Sequence, residues 1–139
     1  MIAQGQTTIF KQNLLSGLEN FAVGTPYVYK IALYTANADL NAATLVYTTA
    51  NEVVGAGYTA GGQALTVIPP ASSGTTAYIS FDNEVWTNAL FVVRGALIYN
   101  STTNAAVAVL DFGSDKTASD TFTVTFPVAT ATSAVIRLS

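Results

Sequence analysis

From Tyr27 to the end of the chain, apolar residues recur mainly at every second position, in short runs bounded by glycine, proline, asparagine and serine. This spacing predicts β-strands, because successive side chains of a strand point to opposite faces of a sheet. The alternation is clearest in Thr121–Phe126, where phenylalanines and a valine share one face and threonines share the other. We therefore expect this strand to face the core on one side only, and a polar residue at Val124 to be poorly tolerated.

The number of such runs predicts a single all-β domain. Seven runs have the composition of strands, and Leu45–Val54 is a weaker candidate. The seven runs are Tyr27–Tyr34, Ala64–Ile68, Ala77–Phe81, Phe91–Tyr99, Ala105–Phe112, Thr121–Phe126 and Ala134–Leu138. No linker, repeat or charge run divides residues 1–139, so we expect about eight antiparallel strands in a jelly-roll-like β-sandwich.

One helical pattern precedes the strands. Between Thr8 and Phe21, apolar residues recur at spacings of four, four and three, which is the period of one helix face. Thr8 is the predicted N-cap, and Gly24 with Pro26 is the predicted stop. The sequence therefore predicts one N-terminal helix at about 8–21.

The two runs around the predicted turn Asn100–Asn104 differ from the others, since both of their faces are apolar. Phe91–Tyr99 has Arg94 as its one charged residue, and Ala105–Leu110 has no polar residue. Two-sided burial of a hairpin in a small sandwich favours a partner on its outer face. A central hairpin covered by the N-terminal helix would have the same pattern.

The chain contains no histidine and no cysteine. Ser-His-Asp and Cys-His catalysis are therefore excluded, as are the usual ligands of zinc and copper. Asp82 and Glu84 adjoin a turn and are better explained as turn residues than as a glycosidase pair. The spacing of Asp111, Asp115 and Asp120 does not match a calcium loop. We expect no enzymatic activity and no cofactor.

Charge is scarce along the whole chain. Charged residues make up 9% of it, against about 25% in average globular proteins. The net charge is −3 and the five Lys and Arg residues are scattered, so we expect no nucleic-acid partner. A surface this neutral predicts burial against other protein in the working state. A secreted lectin or adhesin domain rich in threonine and serine is the alternative.

Membrane association is not predicted from the sequence. About 18 consecutive apolar residues would be needed for a spanning helix, and no such run occurs. Met1–Gln6 has neither the basic nor the apolar region of a signal peptide, so we expect no export signal.

Five of the seven candidate interface residues lie in two long loops, while Trp86 follows an acidic turn and Arg94 lies in a predicted strand. Loops of this length, Thr35–Thr44 and Gly55–Gly62, often carry the contacts of a β-sandwich. Trp86 is open to three interpretations: an interface anchor, a sugar-stacking platform or a core residue. The candidates are Asp39, Leu40, Tyr58, Gly61, Gly62, Trp86 and Arg94.

Five segments resemble small virion proteins of tailed bacteriophages. They are Tyr29–Thr35, Asn51–Val53, Gly57–Gly62, Gly95–Asn100 and Val109–Gly113. Among such proteins the chain is most similar to the capsid cement, or decoration, proteins. The resemblance extends over most of the chain beyond the predicted helix.

This resemblance implies a jelly roll without catalytic residues, present as a homodimer on the outer surface of an icosahedral head. The implied partner is the major capsid protein, whose neighbouring subunits the dimer bridges after assembly in the host cytoplasm. The alternative is a carbohydrate-binding or receptor-binding module of a phage head or tail fibre, motivated by Trp86 and the seven tyrosines.

Overall fold

The structure, a computed structural model, describes residues 1–139 and is mostly β, with antiparallel sheets and one short helix. The helix α1 is Thr8–Leu15. The strands are β1 (Gly5–Gln6), β2 (Tyr29–Tyr34), β3 (Gln63–Ala64), β4 (Val67–Ser73), β5 (Thr76–Phe81), β6 (Glu84–Trp86), β7 (Phe91–Asn100), β8 (Ala105–Ala118), β9 (Phe122–Val124) and β10 (Ile136–Leu138). The prediction of a mostly β chain with one N-terminal helix is confirmed.

The strands form three antiparallel sheets. The largest has the order β1-β8-β7-β2-β3, the second has the order β10-β5-β4, and β6 pairs with β9 alone. At the centre of the largest sheet, β7 and β8 form a hairpin around the predicted turn, and β2 lies on the other side of β7. The β2–β7 register runs from Tyr29 opposite Asn100 to Tyr34 opposite Gly95. β-branched and aromatic residues in these strands favour the pleated, buried surface that they form.

One main core lies between the three sheets. Its side chains come from every sheet and from the helix, and include Phe10, Leu33, Phe81, Trp86, Ile98, Val124 and Phe126. Val124 and Phe126 are buried, as the alternation predicted. The ring of Phe81 lies 5.4 Å from that of Phe126 and 6.4 Å from that of Phe21, between centroids. These contacts join the C-terminal strands to the segment after α1.

The opposite face of the largest sheet is also buried, and the chain itself covers it. Ile2 and Leu40 pack in a second apolar cluster with Tyr34, Leu97 and Val109 of the central strands. Backbone hydrogen bonds join the two covering segments to each other. This cover extends over the part of the face around Leu97 but leaves Val92 of β7 half-exposed, so a partner on the outer face of the hairpin stays a prediction. The cover is the N-terminal segment and the loop after β2, and α1 adds one partly buried side chain to it.

Helix α1 is shorter than predicted, and its cap lies one residue earlier. The N-cap is Thr7 rather than Thr8, because the Thr7 hydroxyl accepts the N–H of Phe10 at 3.2 Å and donates to carbonyls of β8. The helix ends at Leu15 because Gly17 has a φ of 74°, a left-handed conformation that favours glycine. The helical spacing up to position 21 therefore extends beyond the helix itself. No helix of this fold is both long and apolar enough to cross a membrane.

Several predicted strands differ in extent, and three of those predicted are shorter in the structure, as β2 (Tyr29–Tyr34), β9 (Phe122–Val124) and β10 (Ile136–Leu138). Leu45–Val54 makes isolated bridges instead of a strand, and Asn51 turns the chain there with a φ of 61°. Ala64–Ile68 is divided between β3 and β4. β8 continues to Ala118 instead of ending at Phe112, because its last residues pair with the start of β7. The residues after Phe112 are polar, so the sequence did not predict that they continue the strand.

Truncating Leu97 tests the burial of the second face of the large sheet. Leu97→Ala is expected to lower the free energy of unfolding by about 2–5 kcal/mol, because this side chain is fully buried on the second face. Val128→Ala is the matched control, since Val128 is exposed, and its effect is expected to stay within about 0.5 kcal/mol. Urea denaturation measures both variants. Equal losses would contradict the two-sided burial.

Candidate interaction surfaces

A buried carboxylate, Glu52, organises the region that contains the predicted glycine loop. It accepts the hydroxyl of Tyr47 at 2.6 Å, the N–H of Gly61 at 2.8 Å and the hydroxyl of Tyr58. No Lys or Arg pairs with it. Three donors therefore take the place of a cation, which makes burial of this charge tolerable. We call Tyr47, Glu52, Tyr58, Gly61 and Tyr99 the tyrosine clasp.

The clasp fastens its loop to the central strands. The Tyr58 hydroxyl accepts the N–H of Leu33 in β2 at 3.0 Å. From β7, the Tyr99 hydroxyl donates to the carbonyl of Gly61 at 2.6 Å, and its ring stacks on Tyr47 with centroids 4.7 Å apart. Each contact links the loop to the large sheet, so the segment is held by the protein's own interior.

Ionisation of these hydroxyls is unfavourable in the folded protein. Burial raises the pKa of five tyrosines, which are Tyr29, Tyr34, Tyr47, Tyr58 and Tyr99. At Tyr47 and Tyr58, the hydrogen bond to Glu52 and the negative charge of that carboxylate raise the pKa further. A phenolate at either position would leave two negative charges in contact.

The glycines of this loop permit close approach of backbone to backbone. Gly62 has a φ of 79°, and a Cβ there would lie 1.8 Å from the carbonyl oxygen of Ile31. A Cβ on Gly57 would lie 2.6 Å from the carbonyl oxygen of Asn88. Gly62 is therefore required by backbone packing. Tyr58 and Gly61 likewise have their hydrogen-bond partners inside the chain.

Trp86 and Leu40 lie in the interior. The Trp86 side chain is 1% exposed and packs on Phe122 with ring centroids 5.9 Å apart. Leu40 is buried beneath the N-terminal segment, while its neighbour Asp39 is exposed, 3.7 Å from the terminal ammonium of Met1. Of the three interpretations of Trp86, the core residue is confirmed. Neither Trp86 nor Leu40 presents a side chain to a partner of the folded domain.

Arg94 is half-buried and already paired. Its Nε donates to Asp111 Oδ1 at 3.1 Å, across from the point where β8 bulges away from β7. The N–H of Gly113 and the guanidinium of Arg94 hold the pKa of Asp111 below its ordinary value. Arg94 therefore offers a partner only part of its hydrogen-bonding capacity.

The structure reveals an aliphatic patch, defined as Val54, Ala56, Leu90 and Val92. Ala56 forms an isolated antiparallel bridge with Leu90, and Val54 and Val92 lie two residues from these positions along their segments. Val54 is 94% exposed, Leu90 60% and Val92 46%. The sequence pattern that could have predicted this patch is the alternation along residues 90–93, because Phe91 and Val93 point inward while Leu90 and Val92 point outward. Because both faces of this strand are apolar, the sequence did not indicate which of them remains exposed.

Comparison of the chain with protein-family models, with curated proteins and with solved structures finds no match. The structure contains no group of three or more His, Cys, Asp or Glu side chains placed to hold a metal ion.

Substituting Gly62 tests the close approach of backbone to backbone in the loop Gly55–Gly62. Gly62→Ala is expected to lower the free energy of unfolding by about 3 kcal/mol or more, because its methyl group would overlap the Ile31 carbonyl. Gly24→Ala is the matched control: Gly24 has a φ of 81° and no atom near its added Cβ, so only about 1 kcal/mol of backbone strain is expected. Urea denaturation compares them. Losses of the same size would show that backbone strain alone governs both positions.

Alkali is expected to unfold the protein as the buried hydroxyls ionise. The five tyrosines have a folded pKa above the unfolded value of about 10, so their contribution to stability is complete below about pH 10 and is lost as pH rises beyond it. Phenolate absorbance and circular dichroism, measured on the same samples, should show that these phenolates appear together with loss of structure. Their appearance in protein that remains folded would contradict the buried network.

Proposed function

We propose that this chain is a structural virion protein that binds the outside of a tailed-bacteriophage head and cements neighbouring major capsid protein subunits. The observation that carries the proposal is the aliphatic patch, which remains exposed on a domain whose central strands already have cover on both faces. Apolar side chains grouped on a surface with little charge favour contact with another protein.

The small size of the patch favours a contact that is weak in each copy of the protein and is repeated over many copies on one particle. Burying a valine or leucine contributes about 1.5–3 kcal/mol, so three large side chains supply several kcal/mol before the cost of association. A homodimer would present two such patches to two subunits of one lattice, and the second contact would form at high effective concentration. Bridging between subunits is therefore the use to which a patch of this kind is best suited.

The finer parts of the proposal depend on the resemblance to cement proteins. They are the jelly-roll sandwich, the homodimer, assembly in the host cytoplasm and the final place on the outer surface of the virion. A net charge of −3 is consistent with a surface directed away from DNA. In this proposal the protein is not an enzyme and uses no cofactor.

A carbohydrate-binding or receptor-binding module is less well supported. Trp86, its main candidate for stacking on a sugar, has no exposed face in the folded domain. Tyr47, Tyr58 and Tyr99 bond to groups of the chain itself. We therefore favour the cement role, and a selective signal on a glycan array would count against it.

Heads that lack this protein test the proposal. They are expected to assemble but to burst at lower temperature than complete heads, and added wild-type protein is expected to restore their stability at about one copy per capsid subunit. Electron microscopy of heated heads and gel densitometry measure the two quantities. Depleted heads as stable as complete ones, or a handful of copies per virion, would contradict the cement role.

Variants of exposed valines locate the contact within the same assay. Val54→Asp places a charge in the patch, so it is expected to lose head binding while keeping its stability, because Val54 makes little contact with the fold. Val128→Asp, at an exposed position outside the patch, is the matched control and should bind as wild type does. Full restoration by Val54→Asp would exclude the patch as the contact.

A further inference from the structure

A groove separates β8 from β9, two strands that follow one another in the chain without hydrogen bonding to each other. β8 pairs with β7 and β1, and β9 pairs with β6. Two adjoining cavities of about 450 and 360 Å³ lie along the gap and share Phe112, Val124 and Thr125. The groove is therefore continuous along β9.

Both walls of the groove contain backbone that no neighbouring strand pairs. β9 is an edge strand with a single partner, so alternate residues turn their N–H and C=O groups toward the groove. On the other wall β8 bulges: Val93 pairs with Lys116 and Gly95 with Asp111, which leaves residues 112–115 outside the ladder. Gly113 has a φ of 83° within this bulge. The Gly113 N–H is donated to Asp111 Oδ1 at 2.9 Å, so the free edge of β9 is the wall that offers an added strand its hydrogen bonds.

The floor of the groove is aromatic. Phe112 and Phe122 are half-buried, with ring centroids 5.8 Å apart in an edge-to-face arrangement. Thr123 in β9 and Thr125 immediately after it are exposed. A partner strand could place an apolar side chain on the rings while its backbone follows β9, since alternate side chains of a strand point the same way.

The charges at the groove have one sign. Lys116 lines one cavity and Arg137 the other, and no carboxylate lines either, although the chain has eight acidic and five basic residues. Arg137 donates one N–H to the carbonyl of Thr132 at 2.8 Å and keeps others free. Asp111 is directed to Arg94 instead. The groove is therefore complementary to carboxylates.

We propose that this groove binds an extended acidic segment of another protein, which adds as a strand along β9. Its central apolar side chain would lie on Phe112 and Phe122, and its carboxylates would lie beside Lys116 and Arg137. The inference does not depend on the capsid role, since the groove is separate from the aliphatic patch and would take a strand from any partner of this chemistry.

Two synthetic peptides test the proposal with the full chain. Both alternate valine and threonine; one has an aspartate at each end, and the other a lysine at each end. In titrations followed by amide NMR at low salt, the acidic peptide is expected to shift the amides of Thr123, Thr125 and the β8 bulge. The lysine peptide is expected to bind at least about fivefold more weakly.

Charge-reversal variants supply the matched comparison. Lys116→Glu with Arg137→Glu is expected to invert the preference between the peptides, while Lys11→Glu, an exposed position on α1, should leave it unchanged. Equal affinity for both peptides, or shifts confined to other surfaces, would overturn the proposal. Shifts of β9 on concentrating the protein alone would assign the groove to a second copy and would also overturn it. Stable depleted heads would remove the capsid role and leave this result intact.

Discussion

Burial of β2 and β7 on both faces is the constraint on which the rest of the structure depends. Strands that are apolar on both sides need two covers, because each exposed large side chain would forgo about 1.5–3 kcal/mol. The smaller sheets and α1 supply one cover. The N-terminal segment and the loop after β2 supply the other. The N-terminal segment and two long loops therefore help to stabilise the fold because the central strands are apolar on both faces.

The tyrosine clasp attaches the second loop, Gly55–Gly62, to the central strands around a buried carboxylate that has no cationic partner. Glu52 is buried with three donors, the Tyr58 hydroxyl accepts a backbone N–H of β2, and Tyr99 of β7 donates to the carbonyl of Gly61 in the loop. Because removal of any partner would leave a buried polar group unsatisfied, the segment behaves as part of the interior. The two surfaces proposed to contact other molecules, the aliphatic patch and the groove beside β9, do not include the residues of the clasp.

Much of the secondary structure followed from local pattern. The alternation at Thr121–Phe126 correctly predicted that Val124 and Phe126 are buried, and the turn at Asn100–Asn104 lies where its composition indicated. The helix was overestimated because Leu18 and Phe21 keep a helical spacing after Gly17 has ended the helix. Of the candidate interface residues, Trp86 and Leu40 proved to be interior, since an aromatic or aliphatic residue has the same local sequence in a core as in an interface.

The sequence by itself determined that the chain is mostly β, poor in charge and without histidine or cysteine chemistry. Only the tertiary structure decided what covers each face of the central hairpin, which glycines are required by backbone contact and which valines remain exposed. The physical reason is that periodicity reports which side chains share a face. What lies against that face depends on segments distant in the chain, as Leu40 meeting Ile2 and Gly62 meeting Ile31 demonstrate.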